Sequence, residues 1–421
     1  MIKTFEIYPG IILRCFPDTR FKQSRLSIQF VRRMCREENA CNALLPAVLL
    51  RGCEAYPDLR AITRKLDDLY GAGIGTLVRR VGDYQTTGFS AAFLDDRFSL
   101  DDGPVFAPMT EMIKQLLFFP VKEKDAFSVD FVESEKKNLI AAIEAQRNDK
   151  RQYALSRLTE YMCKADTFGI PRLGEPEQVA AITADALYAH YQKLLQESPV
   201  EIFYVGAAQP EQVKLQMEAL FSGVERNVVP VAPQRDFQDL GGGEYEERLD
   251  IAQGKLCMGF VTPVTLRTEE FVTMQVLNTV LGGGMTSKLF MQVRERNALC
   301  YDIGSSYQGS KGIITVTAGA DFEKMEQVHK QVLDALEQCC RGEISQAELH
   351  SAKEALLSSL RMTYDSPGAI ESYYATAALS GLQLTPQVYM EKVEAVSLED
   401  VARAARTVKL HTVFSLKGVG V

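Results

Sequence analysis

The same order of elements is legible twice along this chain, and that recurrence constrains its fold more than any other feature. In the first half, Leu26, Ile28 and Phe30 alternate with polar residues at the period of a half-buried strand. A helical stretch near 42–50 follows. Next come Leu59, Ile62, Leu66 and Leu69 at helical spacing, opened by Asp58 and closed by Gly71. The segments IGTLVRRV and YQTTGFSAAFL flank Gly82 and Asp83, which predicts a hairpin with a two-residue turn. Helices are expected near 105–118, 125–163 and 183–196, then the strand VEIFYV and a helix ending near Phe221.

In the second half, Leu256, Met258 and Phe260 alternate again. Thr268 is expected to cap a helix bearing Phe271, Met274, Leu277 and Leu281, which Gly282 to Gly284 end. Another helix carries Leu289, Phe290 and Val293. Strands near 300–308 and 312–319 precede two long helices, one opened by a capping box from Ser345 to Glu348. The strand HTVFSLKG closes the half. A period this long means duplicated domains, because solenoid repeats run about 20–50 residues.

The predicted class is therefore α+β, with two homologous domains, each a mainly antiparallel sheet with helices packed on one face. The stretch NVVPVAPQRDFQDLGGGEYEE, rich in proline, glycine and charge, reads as the linker. The expected division is a domain over 1–225, a linker over 226–247 and a second domain over 248–421.

Composition narrows the function by exclusion. Of 421 residues, 46% are hydrophobic and 24% charged, which is ordinary for a soluble globular protein. The net charge of -8 comes without a basic run, which argues against nucleic-acid binding. No apolar run reaches the roughly eighteen residues of a membrane span. The opening MIKTFEIYPGIILRC has too short an apolar stretch for a signal peptide and carries Glu6. Nine scattered cysteines without a C-x-x-C pattern fit reduced thiols, so a cytoplasmic location is expected.

Chemistry-bearing motifs are sparse. No histidine precedes His190, and His190, His329, His350 and His411 lack metal-site spacing. No H-x-x-E-H and no G-x-S-x-G occurs. The Gly282 to Gly284 run does not match a phosphate loop, and helix termination with close packing explains it better. Two stretches stand out: NALLPAVLLRGCEAYPD in the first half and LGGGMTSKLFMQVRERNALCYDIGSSY in the second.

Together these motifs and the order of elements resemble the pitrilysin/insulinase family of inverzincin metallopeptidases, over nearly the whole chain. That resemblance implies the metallopeptidase-like LuxS/MPP-type fold. In active members H-x-x-E-H places two zinc-binding histidines on one helix face, with the glutamate as general base. The resemblance puts the ligand positions here on Ala43 and Ala47 and the base on Pro46. It puts the third ligand, counted from Glu135, on Ala142, with Glu144 nearby if the register slips. Pro46 is expected at a helix start or a kink.

A degenerate zinc site is thus implied, with no catalytic residue, no metal and no cofactor in this chain, and zinc expected only in a partner. Arg294 and Tyr301 match an arginine and a tyrosine that, in the family, contact substrate backbone and the developing oxyanion, so they are the expected substrate-binding residues. On residue type alone, a solvated helix position for Arg294 and a half-buried strand aromatic for Tyr301 are the better readings, and only the surrounding phrase brings the functional one level. Within the family the first-half phrase looks most like a bacterial subgroup associated with 5-aminopentanol modification of elongation factor P. Its members pair with a homologue that keeps H-x-x-E-H.

The implied function is a non-catalytic, substrate-binding or regulatory subunit of a heteromeric zinc peptidase, acting on peptide or unfolded polypeptide, without nucleic acid or membrane. Two alternatives stay open. One is an independent metallopeptidase with ligands drawn from Cys41, Cys53, Glu54 or Glu144. The other is a purely structural assembly subunit.

Overall fold

The computed structural model describes residues 2–100 and 103–419. It resolves into two compact units, and neither is one uninterrupted stretch. The first comprises Met1–Glu144, Ile170–Gln234 and Tyr364–Thr376; the second comprises Ala145–Gly169, Arg235–Thr363 and Ala377–Val421. Each half of the chain therefore lends one segment to the other half's unit, where the sequence suggested a single crossing at 226–247.

The first unit is built on a six-stranded sheet. Its spatial order is Lys3–Tyr8, Ile11–Pro17, Val200–Gly206, Gln23–Arg33, Tyr84–Leu94 and Gly73–Val81. All pairs are antiparallel except Ile11–Pro17 with Val200–Gly206. The Gly82–Asp83 turn is as expected, with positive φ at Gly82 (+58°) and not at Asp83, the pattern of a type II′ turn. Along Gln23–Arg33 the period-2 alternation sends Leu26, Ile28 and Phe30 into a core shared with Leu44, Val48, Ile113 and Leu194.

The residues between them, Ser27 and Gln29, face the other way and meet the buried carboxylate of Glu371. Ser27 Oγ donates to Glu371 Oε1 at 2.6 Å and Gln29 Nε2 at 3.1 Å. Arg79 closes on both carboxylate oxygens, Nη1 to Oε1 at 3.0 Å and Nη2 to Oε2 at 2.8 Å. Such a two-pronged pair fixes orientation as well as charge.

The second unit's sheet has five strands in the order Asp302–Gln308, Ile313–Ala320, Gly254–Val261, Lys409–Gly418 and Gly243–Leu249. Only the last pair is parallel. Helix Phe271–Gly282 is buried along most of its length. The helix Lys150–Met162 packs Leu158 with Cys257 and Phe414, and a side chain at Gly259 would collide with Met162.

Where one helix was expected over 125–163 there are two, Val129–Asn148 and Lys150–Met162. Asp149 divides them, its carboxylate accepting the N–H groups of Arg151 and Gln152 at 3.0 and 3.1 Å in an N-cap. Thr268 is not the cap of the following helix, which starts at Phe271 after Glu270. Instead its hydroxyl accepts from the Thr265 N–H. The capping box of Ser345 and Glu348 forms as predicted. Among the described residues, no helix is long and apolar enough to cross a membrane.

Candidate functional site

Helix Asn39–Leu49 carries the positions where the zinc motif would lie. Ala43 and Pro46 are buried and Ala47 is half-buried, and none of the three offers a lone pair for a metal. Ala142 lies exposed on helix Val129–Asn148, with Glu144 exposed beyond it. Glu135, the counting point for the third ligand, instead pairs with Arg51 at 3.2 Å. Zinc does not fit this set. Among the described residues, no group of three or more histidine, cysteine, aspartate or glutamate side chains could hold a metal ion. Burial pushes the Cys41 thiol up to about 11 and raises that of Cys53, which disfavours the thiolate a metal requires.

Pro46 sits inside the helix rather than at its start. Lacking an N–H, it cannot serve the carbonyl of Asn42, four residues back. Thr87 on the adjacent strand supplies the missing donor, its hydroxyl 2.6 Å from Asn42 O. The Asn42 side chain heads a buried polar chain. Its Nδ2 donates to Gln85 Oε1 at 2.9 Å, and Gln85 Nε2 donates to the carbonyls of Asn39 and Arg172. That polarity leaves Asn42 Oδ1 as acceptor for His190 Nε2 at 2.8 Å. Burial lowers His190 to about 4, so its ring is neutral at pH 7. His190 is therefore spent on supporting the helix that carries Ala43, Pro46 and Ala47.

The second unit carries the other two expected residues, Arg294 and Tyr301. Residues Leu289–Arg296 form a π-helix, a rare geometry that recurs at functional sites. Leu289 and Val293 are buried, while Arg294 is exposed, with its guanidinium 4.6 Å from the Phe290 ring centroid and its Nε 3.6 Å from Glu295. The chain leaves this helix through Ala298, which holds φ +50°, a strained value for a residue with a Cβ. It then reaches Tyr301, which is 59% exposed and so is not the half-buried strand aromatic that its residue type also allowed.

Arg294 and Tyr301 line one cavity of about 290 Å³, together with Glu295, Cys300, Asp321 and Lys324. The last two were not singled out from the sequence. The Tyr301 hydroxyl donates to Asp321 Oδ1 at 3.0 Å, and Lys324 Nζ lies 3.0 Å from Asp321 Oδ2. Hydrogen bonding to Asp321 raises the Tyr301 phenol, and the Lys324 ammonium leads in lowering the Asp321 carboxyl. The strand register could have signalled this pairing, since it sets Asp302 opposite Gly319 and so leaves Tyr301 and Asp321 at one end of the hairpin.

The glycine run behind this helix serves close packing. A side chain at Gly282 would strike the Ser305 backbone nitrogen, and one at Gly283 the Thr279 backbone.

A family profile described as Peptidase M16 inactive domain matches residues 181–356. The chain is 27% identical over 409 residues to a Bacillus subtilis (strain 168) protein named "Probable inactive metalloprotease YmfF", covering 97% of this chain and 96% of that one. A crystal structure of a conserved protein from Enterococcus faecalis V583 superimposes with a TM-score of 0.91 at 27% identity, over 99% of each chain. The chain resembles M16 peptidases, by that profile over part of its length and by a relative named an inactive metalloprotease over nearly all of it. A Pseudomonas fluorescens structure described as a peptidase M16 inactive domain shares the fold, with a TM-score of 0.83 at 17% identity over 100% of this chain and 98% of that one. Two of these relatives are named inactive, and helix Asn39–Leu49 of this chain carries no H-x-x-E-H.

Proposed function

We propose that this chain is the substrate-binding subunit of a heteromeric M16 peptidase, completed by a homologous subunit that carries H-x-x-E-H. One asymmetry carries the reading: the positions for metal ligands and base hold Ala43, Pro46 and Ala47, while Arg294 and Tyr301 stand exposed on a cavity. A guanidinium and a phenol donor offered to solvent suit a peptide carbonyl on which negative charge develops. The base and the metal would come from the partner, and this chain would orient the peptide or unfolded polypeptide and stabilise the oxyanion. The resemblance of the first-half phrase to the subgroup associated with 5-aminopentanol modification of elongation factor P supports reading such a pair in that setting. The nine free thiols favour a reducing, cytoplasmic compartment.

The test is peptide hydrolysis by the H-x-x-E-H homologue with and without this chain. Activity confined to the mixture, and lost with Arg294→Ala, supports the proposal. Equal activity from the homologue alone overturns it. A mixture indifferent to the double change Arg294→Ala and Tyr301→Phe favours an assembly role, and chelator-sensitive activity of this chain alone favours unconventional ligands.

A further inference from the structure

Tyr301 reaches into its cavity as an exposed ring on a chain that has just left a strained residue, and such a side chain needs an anchor to hold one direction. A phenol rotates freely about its Cα–Cβ bond when solvated, and donation into a transition state is effective only from a fixed position. Asp321, in the segment after strand Ile313–Ala320, accepts the Tyr301 hydroxyl proton at 3.0 Å. Asp321 is itself held by Lys324 at 3.0 Å, and the same Lys324 ammonium lies 3.5 Å from the carbonyl of Ala298, where the π-helix exits. The backbone N–H of Tyr301 is bonded to Gly319 O at 2.8 Å, which sets the other end of the residue.

Building on the substrate-binding role argued above, we propose that Asp321 is a positioning residue, which with Lys324 fixes the direction of the Tyr301 phenol in the cavity shared with Arg294. Asp321 makes no contact with the peptide in this arrangement; it acts through Tyr301. When an oxyanion enters the cavity, the phenol exchanges one acceptor for another without a search for its rotamer. The raised Tyr301 phenol, the lowered Asp321 carboxyl and the raised Lys324 ammonium agree with a single linked trio.

The experiment labels the tyrosine rings with carbon-13 in the full chain and follows the Tyr301 resonance, identified by its loss in Tyr301→Phe, through a pH titration. Asp321→Ala is expected to bring the phenol down toward the ordinary tyrosine range, and Asp321→Asn to do so while keeping the ring's chemical shift closer to wild type. In the mixture with the H-x-x-E-H homologue, Asp321→Ala is expected to lower kcat roughly tenfold, the worth of one positioned hydrogen bond, with KM little changed. Asp321→Asn is expected to restore part of that loss.

A Tyr301 titration identical in wild type and Asp321→Ala overturns the proposal. So does a titration that moves while kcat of the mixture stays at the wild-type value, because the contact is then merely structural. A mixture without activity in any form removes the composite-peptidase reading instead, and the titration of the isolated chain still decides whether Asp321 orders the phenol.

Discussion

Thr87 gives its hydroxyl proton to the main-chain carbonyl of Asn42, at 2.6 Å, in the place where Pro46 has no N–H to give. Both residues are buried, so the carbonyl has no recourse to water. Thr87→Val is expected to destabilise the chain by about 1–3 kcal/mol, the cost of a buried acceptor left without a donor. In a Pro46→Ala background the helix supplies its own N–H, and the same change is expected to cost much less. Urea denaturation of the four variants measures the coupling. Strictly additive losses would contradict this account.

His190 makes stability depend on pH in a predictable direction. Burial holds the folded-state value near 4, against 6.5 for an ordinary histidine, with Arg32 and Lys193 acting in the same sense and Glu38 opposing them. Between those two values the unfolded chain binds a proton that the folded chain refuses, so stability falls as pH drops from about 6.5 to about 4. The loss from this group is at most about 3 kcal/mol. His190→Gln, which keeps a donor toward Asn42, is expected to flatten that limb in a series of urea midpoints against pH.

The Glu371 carboxylate is met by Arg79, Ser27 and Gln29 and is 1% exposed. Glu371→Ala leaves the guanidinium and two polar side chains without their acceptor. It is expected to cost about 3–5 kcal/mol, as for other broken buried ion pairs. Glu371→Gln, which keeps an acceptor oxygen, is expected to cost less. Thermal melting gives the order, and limited proteolysis within 364–376 is expected to rise in parallel.

For Arg294 the expectation is the reverse, a change in activity without a change in stability. Its side chain is 42% exposed, next to Phe290 and Glu295. Arg294→Ala is expected to lower kcat of the mixture roughly a hundredfold, the scale of one lost oxyanion donor, and to leave the melting midpoint where it was. A shifted midpoint would assign the residue to the fold.

The local signals of the sequence were enough for elements whose cause is local. Alternation revealed Gln23–Arg33 and Gly254–Val261, Gly82 the hairpin, and Ser345 with Glu348 a helix start. That no H-x-x-E-H occurs was legible because it is a matter of residue identity alone. Features with non-local causes were not. Strand Gly243–Leu249, GEYEERL, is too charged to read as a strand and looked like linker; pairing with Lys409–Gly418 creates it. The hairpin of Lys3–Tyr8 and Ile11–Pro17 was weighed only as a leader segment. The π-helix has no compositional mark, and Asp321 and Lys324 gain meaning only through the hairpin register. Neither the Asn42–His190 contact nor the loan of 145–169 and 364–376 between halves leaves a trace in local pattern.

That loan bears on how the chain is made. The ribosome finishes the strands of the first sheet early, since Val200–Gly206 is the last of them to be synthesised. Yet the carboxylate that satisfies Ser27, Gln29 and Arg79 belongs to residue 371 of 421. The first unit therefore waits, with a polar face unsealed, while most of the second half is translated, and the part begun first is the part completed late. A fragment cut anywhere between 235 and 363 inherits that open face permanently.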